Sequence, residues 1–206
     1  MGDRHLAAAA YDIVAADYES RFVDELRAKP RDCELLDELA ARASGLVLDI
    51  GSGPGHIGAR IRSAGRHVVA VDLSRAMAAA AQRRVDSAVV ADMIHLPIAT
   101  SSVADIVAFY SVIHLSRREL HDALIEFSRV LIPEGTVLLS AHEGAGDVAV
   151  AEFLGHDVHL SATFFTLDEL VGAVADAHLE LLSAERREPY EDEGATNRLY
   201  IRAAKK

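Results

Sequence analysis

Three aspartates stand at or next to the ends of three short apolar runs. Asp49 sits inside Leu46-Val47-Leu48-Asp49-Ile50, Asp72 follows His67-Val68-Val69-Ala70-Val71, and Asp92 follows Ala88-Val89-Val90-Ala91. Runs of this length and composition read as strands buried on both faces. The first run breaks into Gly51-Ser52-Gly53-Pro54-Gly55 and resumes with helical spacing at Ile57 and Ile61. Residues without a Cβ take positive φ freely and let a ligand approach the backbone. The turn also aims the free N–H groups of the next helix above the strand, where they favour a carboxylate or phosphate. The spacing is G-x-G-x-G, not the G-x-G-x-x-G of a dinucleotide loop. A carboxylate at Asp49 repels a pyrophosphate but suits a ligand carrying an amino group and a sulfonium. Asp72 lies about 20 residues beyond the loop, where a ribose-binding carboxylate belongs; it can accept both sugar hydroxyls. Asp92 followed by Met93 suits an adenine, with the carboxylate on the exocyclic amine and the apolar chain on the ring.

Histidine has the right intrinsic pKa for a general base near neutral pH. His114 follows a fourth run, Ala104–Tyr110, on the same side as the acids. His142 ends a fifth, Thr136–Ala141, and His156 and His159 fall in the segment that follows. His114 and His142 are therefore the candidate bases, and His114, His142 and His156 the candidate acceptor contacts. His56, inside the glycine loop, reads as a helix-start residue. His142-Glu143 and His156-Asp157-Val158-His159 carry metal-ligand residue types, but no tight spacing puts them on one face. No metal site is expected.

The elements that position these residues alternate along the chain. A helix is predicted over 3–28, with Tyr11, Val14, Tyr18, Phe22 and Leu26 on one stripe. Lys29-Pro30 breaks it. Cys33, Leu36, Leu39 and Ala40 mark a second helix, stopped by Ser44-Gly45. Ser74 is a plausible N-cap for a helix over 75–84. Ser116–Glu119 and Thr166–Glu169 are capping boxes, opening helices whose first shows Leu120, Ala123, Leu124, Phe127 and Val130 on a buried face. Pro133-Glu134-Gly135 turns into the fifth strand. Residues 142–163 are polar and weakly periodic, and 178–186 and 196–203 read as closing strands. Alternating strands and helices give a mostly parallel sheet with helices on both faces, which binds ligands beyond the C-terminal strand ends. Asp49, Gly51, Asp72, Asp92, Ser111, His114 and His142 converge there.

With these motifs the chain resembles the class I S-adenosylmethionine-dependent methyltransferases of the small-molecule type. The resemblance rests on Leu48–Gly55, Val71–Ser74, Ala91-Asp92-Met93, Asp105–Leu115, Pro133–Thr136 and the opening Tyr11–Tyr18. It implies an α/β, Rossmann-like, doubly wound sheet of seven strands, the last antiparallel. It implies that Asp49, Gly51, Ser52 and Gly53 hold the methionine part of S-adenosylmethionine, Asp72 and Leu73 the ribose, and Asp92 and Met93 the adenine. Ser111 lines the methionine end, and Tyr11 and Tyr18 close over it as lid residues. S-adenosylhomocysteine is the implied product. The Asn-Pro-Pro-Tyr signature of base-methylating relatives is replaced by Phe109-Tyr110-Ser111-Val112. A domain that binds the cofactor without chemistry is the alternative, and a nicotinamide oxidoreductase a weaker one.

At 206 residues the chain fits one domain, with 1–44 as a helical lid and 45–206 as the sheet domain. The formal net charge is −11 and the basic residues are scattered, which disfavours nucleic acid. The acidic run Glu185–Glu193 reads as a solvated loop. No apolar run is long enough to span a bilayer, and no basic-flanked leader is visible. The single cysteine, Cys33, excludes an internal disulfide and fits the cytoplasm. A small-molecule substrate is expected, with the protein a monomer or homodimer and no nucleic-acid or membrane partner.

Overall fold

β1 (Leu46–Ile50) pairs in parallel with β2 (His67–Asp72) on one side and β4 (Val103–Phe109) on the other. This is why its sequence is apolar on both faces. The computed structural model describes residues 3–42 and 45–206, and there the sheet runs β3-β2-β1-β4-β5-β9-β8. β3 is Ser87–Val90, β5 Leu131–His142, β8 Leu179–Arg187 and β9 Arg198–Lys205. β9 is antiparallel to both β5 and β8, as expected for the last strand. Side chains alternate between two apolar layers. Leu48, Ile50, Ile106 and Leu139 pack with α5 (Arg117–Val130) and α6 (Leu167–Asp176). Val47, Val68, Val107 and Leu138 pack with α2 (Pro30–Ala40) and α3 (His56–Ser63). All three expected caps form: Ser74 on α4 (Arg75–Ala81), and both capping boxes.

Three boundaries differ from the sequence expectation. α1 (Asp3–Phe22) stops short of residue 28; a separate 3-10 turn, Glu25–Ala28, follows the break at Val23-Asp24. α4 ends at Ala81 and its last turn loosens over residues 82–84. β5 begins at Leu131, and Pro133-Glu134-Gly135 is a bulge inside it: Leu131 pairs with Val103 and Thr136 with Asp105, so five residues on one strand span two on the other. Glu134 takes φ +64° there. The stop expected at Ser44 lies outside the described residues.

The largest difference is in residues 142–163. They form a hairpin, β6 (Asp147–Phe153) against β7 (His156–Thr163), closed by Leu154 and Gly155 at φ +52° and +80°. Two consecutive positive φ values suit the right-handed twist of the flanking strands. Val158 and Leu160 of β7 are buried against Ala7, Ala10 and Val14 of α1. The hairpin and α1 therefore form one layer above the sheet ends. Among the described residues no helix is long and apolar enough to cross a membrane.

Below the sheet, away from those ends, Arg66 and Asp105 form a buried ion pair at 2.7 Å, and Thr136 Oγ1 donates to the same carboxylate at 2.6 Å. Removing one partner of such a pair leaves a buried charge and costs about 3–5 kcal/mol. Arg42 at 3.8 Å from Asp105 offsets part of this. Arg66→Met is thus expected to cost about 3 kcal/mol and lower Tm by roughly 6–12 °C. Ligand affinity should be unchanged, which calorimetry on the variant checks.

Candidate functional site

Gly51 carries the turn out of β1. It takes φ +63°, and a Cβ there would lie 2.2 Å from Ser111 Cβ, so only glycine fits. Its N–H donates to Val71 O at 2.7 Å, tying the loop to β2. Ser111 Oγ donates to Ile50 O at 2.8 Å, tying the loop to the end of β4. Gly53 N–H donates to Asp72 Oδ2 and Ser74 N–H to Asp72 Oδ1, both at 2.8 Å. The Asp72 carboxylate thus braces the loop and the start of α4, with a lone pair to spare on each oxygen. Burial pushes its pKa up to about 6. Asp12 of α1 accepts from Ser74 Oγ and Ala76 N–H, docking α1 on α4.

A cavity opens above these strand ends. Gly51 and Gly53 floor it, Asp72 and Leu73 form one wall, and Asp92 and Met93 another. Ser111 and His114 stand at the β4 side, and Tyr11 and Tyr18 of α1 roof it. The structure therefore gathers ten sequence-predicted residues around one space. It places four elsewhere. Asp49 is buried behind the loop and accepts from Gly58 N–H at 2.8 Å; burial pushes its pKa up to about 7. Ser52 is buried at the turn and does not line the cavity. His142 lies beyond Tyr110, its ring 5.3 Å away and inclined 31°, with Nδ1 on Thr196 Oγ1 at 3.0 Å. Burial, then the charges of Arg198 and Lys29, lower its pKa to about 4. His156 sits at the hairpin turn, paired with Asp17 at 2.7 Å on the surface. His56 pairs with Glu25 at 2.9 Å at the start of α3.

Sequence reasoning missed Arg4. Its Nε donates to Asp92 Oδ2 at 2.9 Å, and its guanidinium also bonds Glu119 at the start of α5. It clamps α1 across the cavity, and its partners lie too far along the chain for any spacing signal. Tyr110 was read only as the end of a strand. It takes φ +52°, costly for a bulky residue and typical of a functional site.

His114 is the best-connected titratable group. Its Nδ1 lies 2.7 Å from Ser161 O of β7, and its Nε2 2.9 Å from Tyr11 Oη. A carbonyl only accepts, so Nδ1 carries the proton and Nε2 accepts from the tyrosine. Burial lowers the His114 pKa against that Ser161 bond, and raises that of Tyr11, with the Asp72 charge adding to the rise. Both groups are neutral near pH 7.

Residues 48–139 match the family described as a methyltransferase domain. Over these residues, a little under half of its length, the chain is similar to the methyltransferases. Relatives of this chain include the malonyl-(acyl-carrier protein) O-methyltransferase of Enterobacter lignolyticus, 35% identical over 66% of this chain and 53% of the relative. An uncharacterized methyltransferase of Oceanobacillus iheyensis is 30% identical over 51% of this chain and 50% of the relative. The chain thus spans about half the length of these curated relatives. Among solved structures, the 1,6-didemethyltoxoflavin-N1-methyltransferase of Burkholderia thailandensis, crystallised with that substrate and S-adenosylhomocysteine, superposes with a TM-score of 0.75. It is 22% identical, over 97% of this chain and 87% of that one. The cyclase SpnF superposes with a TM-score of 0.76 at 17% identity, over 100% and 97%. At these identities the superpositions establish the shared fold.

Proposed function

We propose that the protein transfers the methyl group of S-adenosylmethionine to an oxygen, nitrogen or carbon of a small-molecule acceptor. Asp72 carries this reading. Its carboxylate is held by two backbone N–H groups at the end of β2 and retains one lone pair per oxygen, the acceptor set that two ribose hydroxyls need. Gly51 and Gly53 bring bare backbone to the place of the methionine part, and Met93 offers an apolar face to the adenine. Arg4 holds Asp92 Oδ2 and Ile94 N–H donates to Oδ1 at 3.2 Å, so Asp92 meets an exocyclic amine through its remaining lone pairs. Asp49 acts by fixing the loop through Gly58. When bound, the cofactor supplies a methyl group already activated on a sulfonium. The chain must orient the acceptor, which can contribute several kcal/mol, exclude water, and take up a proton where the acceptor loses one. α1 serves as the lid; α2, which the expected 1–44 lid included, packs on the sheet beside α3 instead. The net charge of −11 supports a small acceptor over nucleic acid.

The Asp72 assignment has a pH signature. Below about pH 6 Asp72 of the free protein is protonated, and a neutral carboxyl is a poorer acceptor for two hydroxyls. S-adenosylhomocysteine affinity should be flat above that pH and fall by up to about tenfold per unit below it. Titration calorimetry in matched buffers measures this, and a flat profile down to pH 5 would count against the ribose role. The reaction itself is tested by screening small acceptors for release of S-adenosylhomocysteine. A broad screen that yields turnover with no acceptor, despite tight cofactor binding, favours a binding module.

A further inference from the structure

We propose that the group taking the acceptor's proton is the hydroxyl of Tyr11, with His114 storing the charge behind it as a positioning and relay residue. This rests on the methyl-transfer reading. His114 is the obvious base by residue type, but neither of its nitrogens is free: Nδ1 donates to Ser161 O and Nε2 accepts from Tyr11 Oη. The Tyr11 oxygen makes no other hydrogen bond among the described residues and lines the cavity. Its unused acceptor capacity is the open end of the chain.

The step balances within these groups. The acceptor's O–H or N–H proton moves to Tyr11 Oη as the tyrosine's own proton moves to His114 Nε2. Tyr11 stays neutral and His114 becomes imidazolium, with both its N–H groups bonded. The electron pair left on the acceptor atom is the pair that takes the methyl group. After product leaves, the proton returns through Tyr11 to water. A tyrosine alone is a weak proton acceptor; the adjacent imidazole spares it from bearing a charge. The Ser161 bond fixes the tautomer that makes this possible, much as a third group orients the histidine of a nucleophilic triad. Ser161 lies on β7, which packs on the same helix that carries Tyr11. The relay is therefore complete only when hairpin and α1 are both docked.

Two variants test it, each conservative. Tyr11→Phe keeps the ring packed between Tyr18, Phe153 and His114. His114→Asn keeps a donor for Ser161 O and loses Nε2. Nitrogen-resolved NMR of the free protein should show His114 protonated at Nδ1, and Tyr11→Phe should move the Nε2 resonance towards that of an unbonded imine nitrogen. Protonation at Nε2, or an unmoved resonance, overturns the relay. With an acceptor from the release screen, each variant should lose about 10²- to 10⁴-fold in kcat. The double variant should be no worse than the poorer single one, because the residues act as a unit. Multiplicative losses, or an unchanged kcat in Tyr11→Phe, overturn it too. S-adenosylhomocysteine affinity should stay within about threefold in both, a bound far below the expected loss in kcat. If the wild-type protein fails to bind that compound, it is the methyl-transfer reading that falls, and the NMR result still decides the dyad.

Discussion

Asp72→Ala should reduce affinity for S-adenosylmethionine by about 10²- to 10⁴-fold. Two hydrogen bonds from ribose hydroxyls to a carboxylate are lost, each worth about 1.5–3 kcal/mol, and every 1.4 kcal/mol is about tenfold. The substitution also frees Gly53 N–H and Ser74 N–H, which now share the carboxylate, so the loop itself loosens. Asp72→Asn separates the two effects. It keeps one oxygen acceptor and most of the packing, and should fall between wild type and alanine. The readout is calorimetric Kd, with circular dichroism to confirm that β2 and α4 survive. An alanine variant within a factor of about two of wild type would mean that the ribose lies elsewhere, since even one lost bond of this kind costs more than that.

Gly51→Ala should be the most damaging single methyl group in the chain. It forces a Cβ onto a residue at φ +63° and drives it to 2.2 Å from Ser111 Cβ and 2.9 Å from Ser111 Oγ. The left-handed backbone costs roughly 1–2 kcal/mol and the overpacking roughly 1–3 kcal/mol. A fall in Tm of about 5–15 °C follows for a chain of this size. Cofactor binding should be lost as well, because the clash is relieved only by separating the loop from the end of β4. Ser111→Gly placed on top removes the colliding atoms and should restore part of the Tm. If Gly51→Ala alone melts within about 2 °C of wild type, the close approach of loop and strand is not as described.

Much of the site was legible because strand-end acids and glycines signal locally. Asp72 and Gly51 sit at the ends of the strands that position them, and Ser74, Ser116 and Thr166 stand immediately before the helices they cap. What could not be read depends on contacts without sequence spacing. Arg4 meets Asp92 and Glu119 from 88 and 115 residues away. The carbonyl of Ser161, which sets the His114 tautomer, is a backbone atom that any residue type would supply. The β6–β7 hairpin was missed for a related reason. It buries one face only, through Val158 and Leu160, while Val148 and Val150 of β6 stay exposed. The alternation was present, and so was Gly155, but the intervening polar residues masked it. His142 and His156 were right in residue type, but the fold sends them to Thr196 and Asp17.

The central claim is that the space above the strand ends holds an adenosyl sulfonium compound and not a dinucleotide. Isothermal titration of the free protein with S-adenosylmethionine, S-adenosylhomocysteine and NAD in parallel tests it. Micromolar binding of both adenosyl compounds, with none of NAD, is the predicted result. Binding of NAD alone would contradict it.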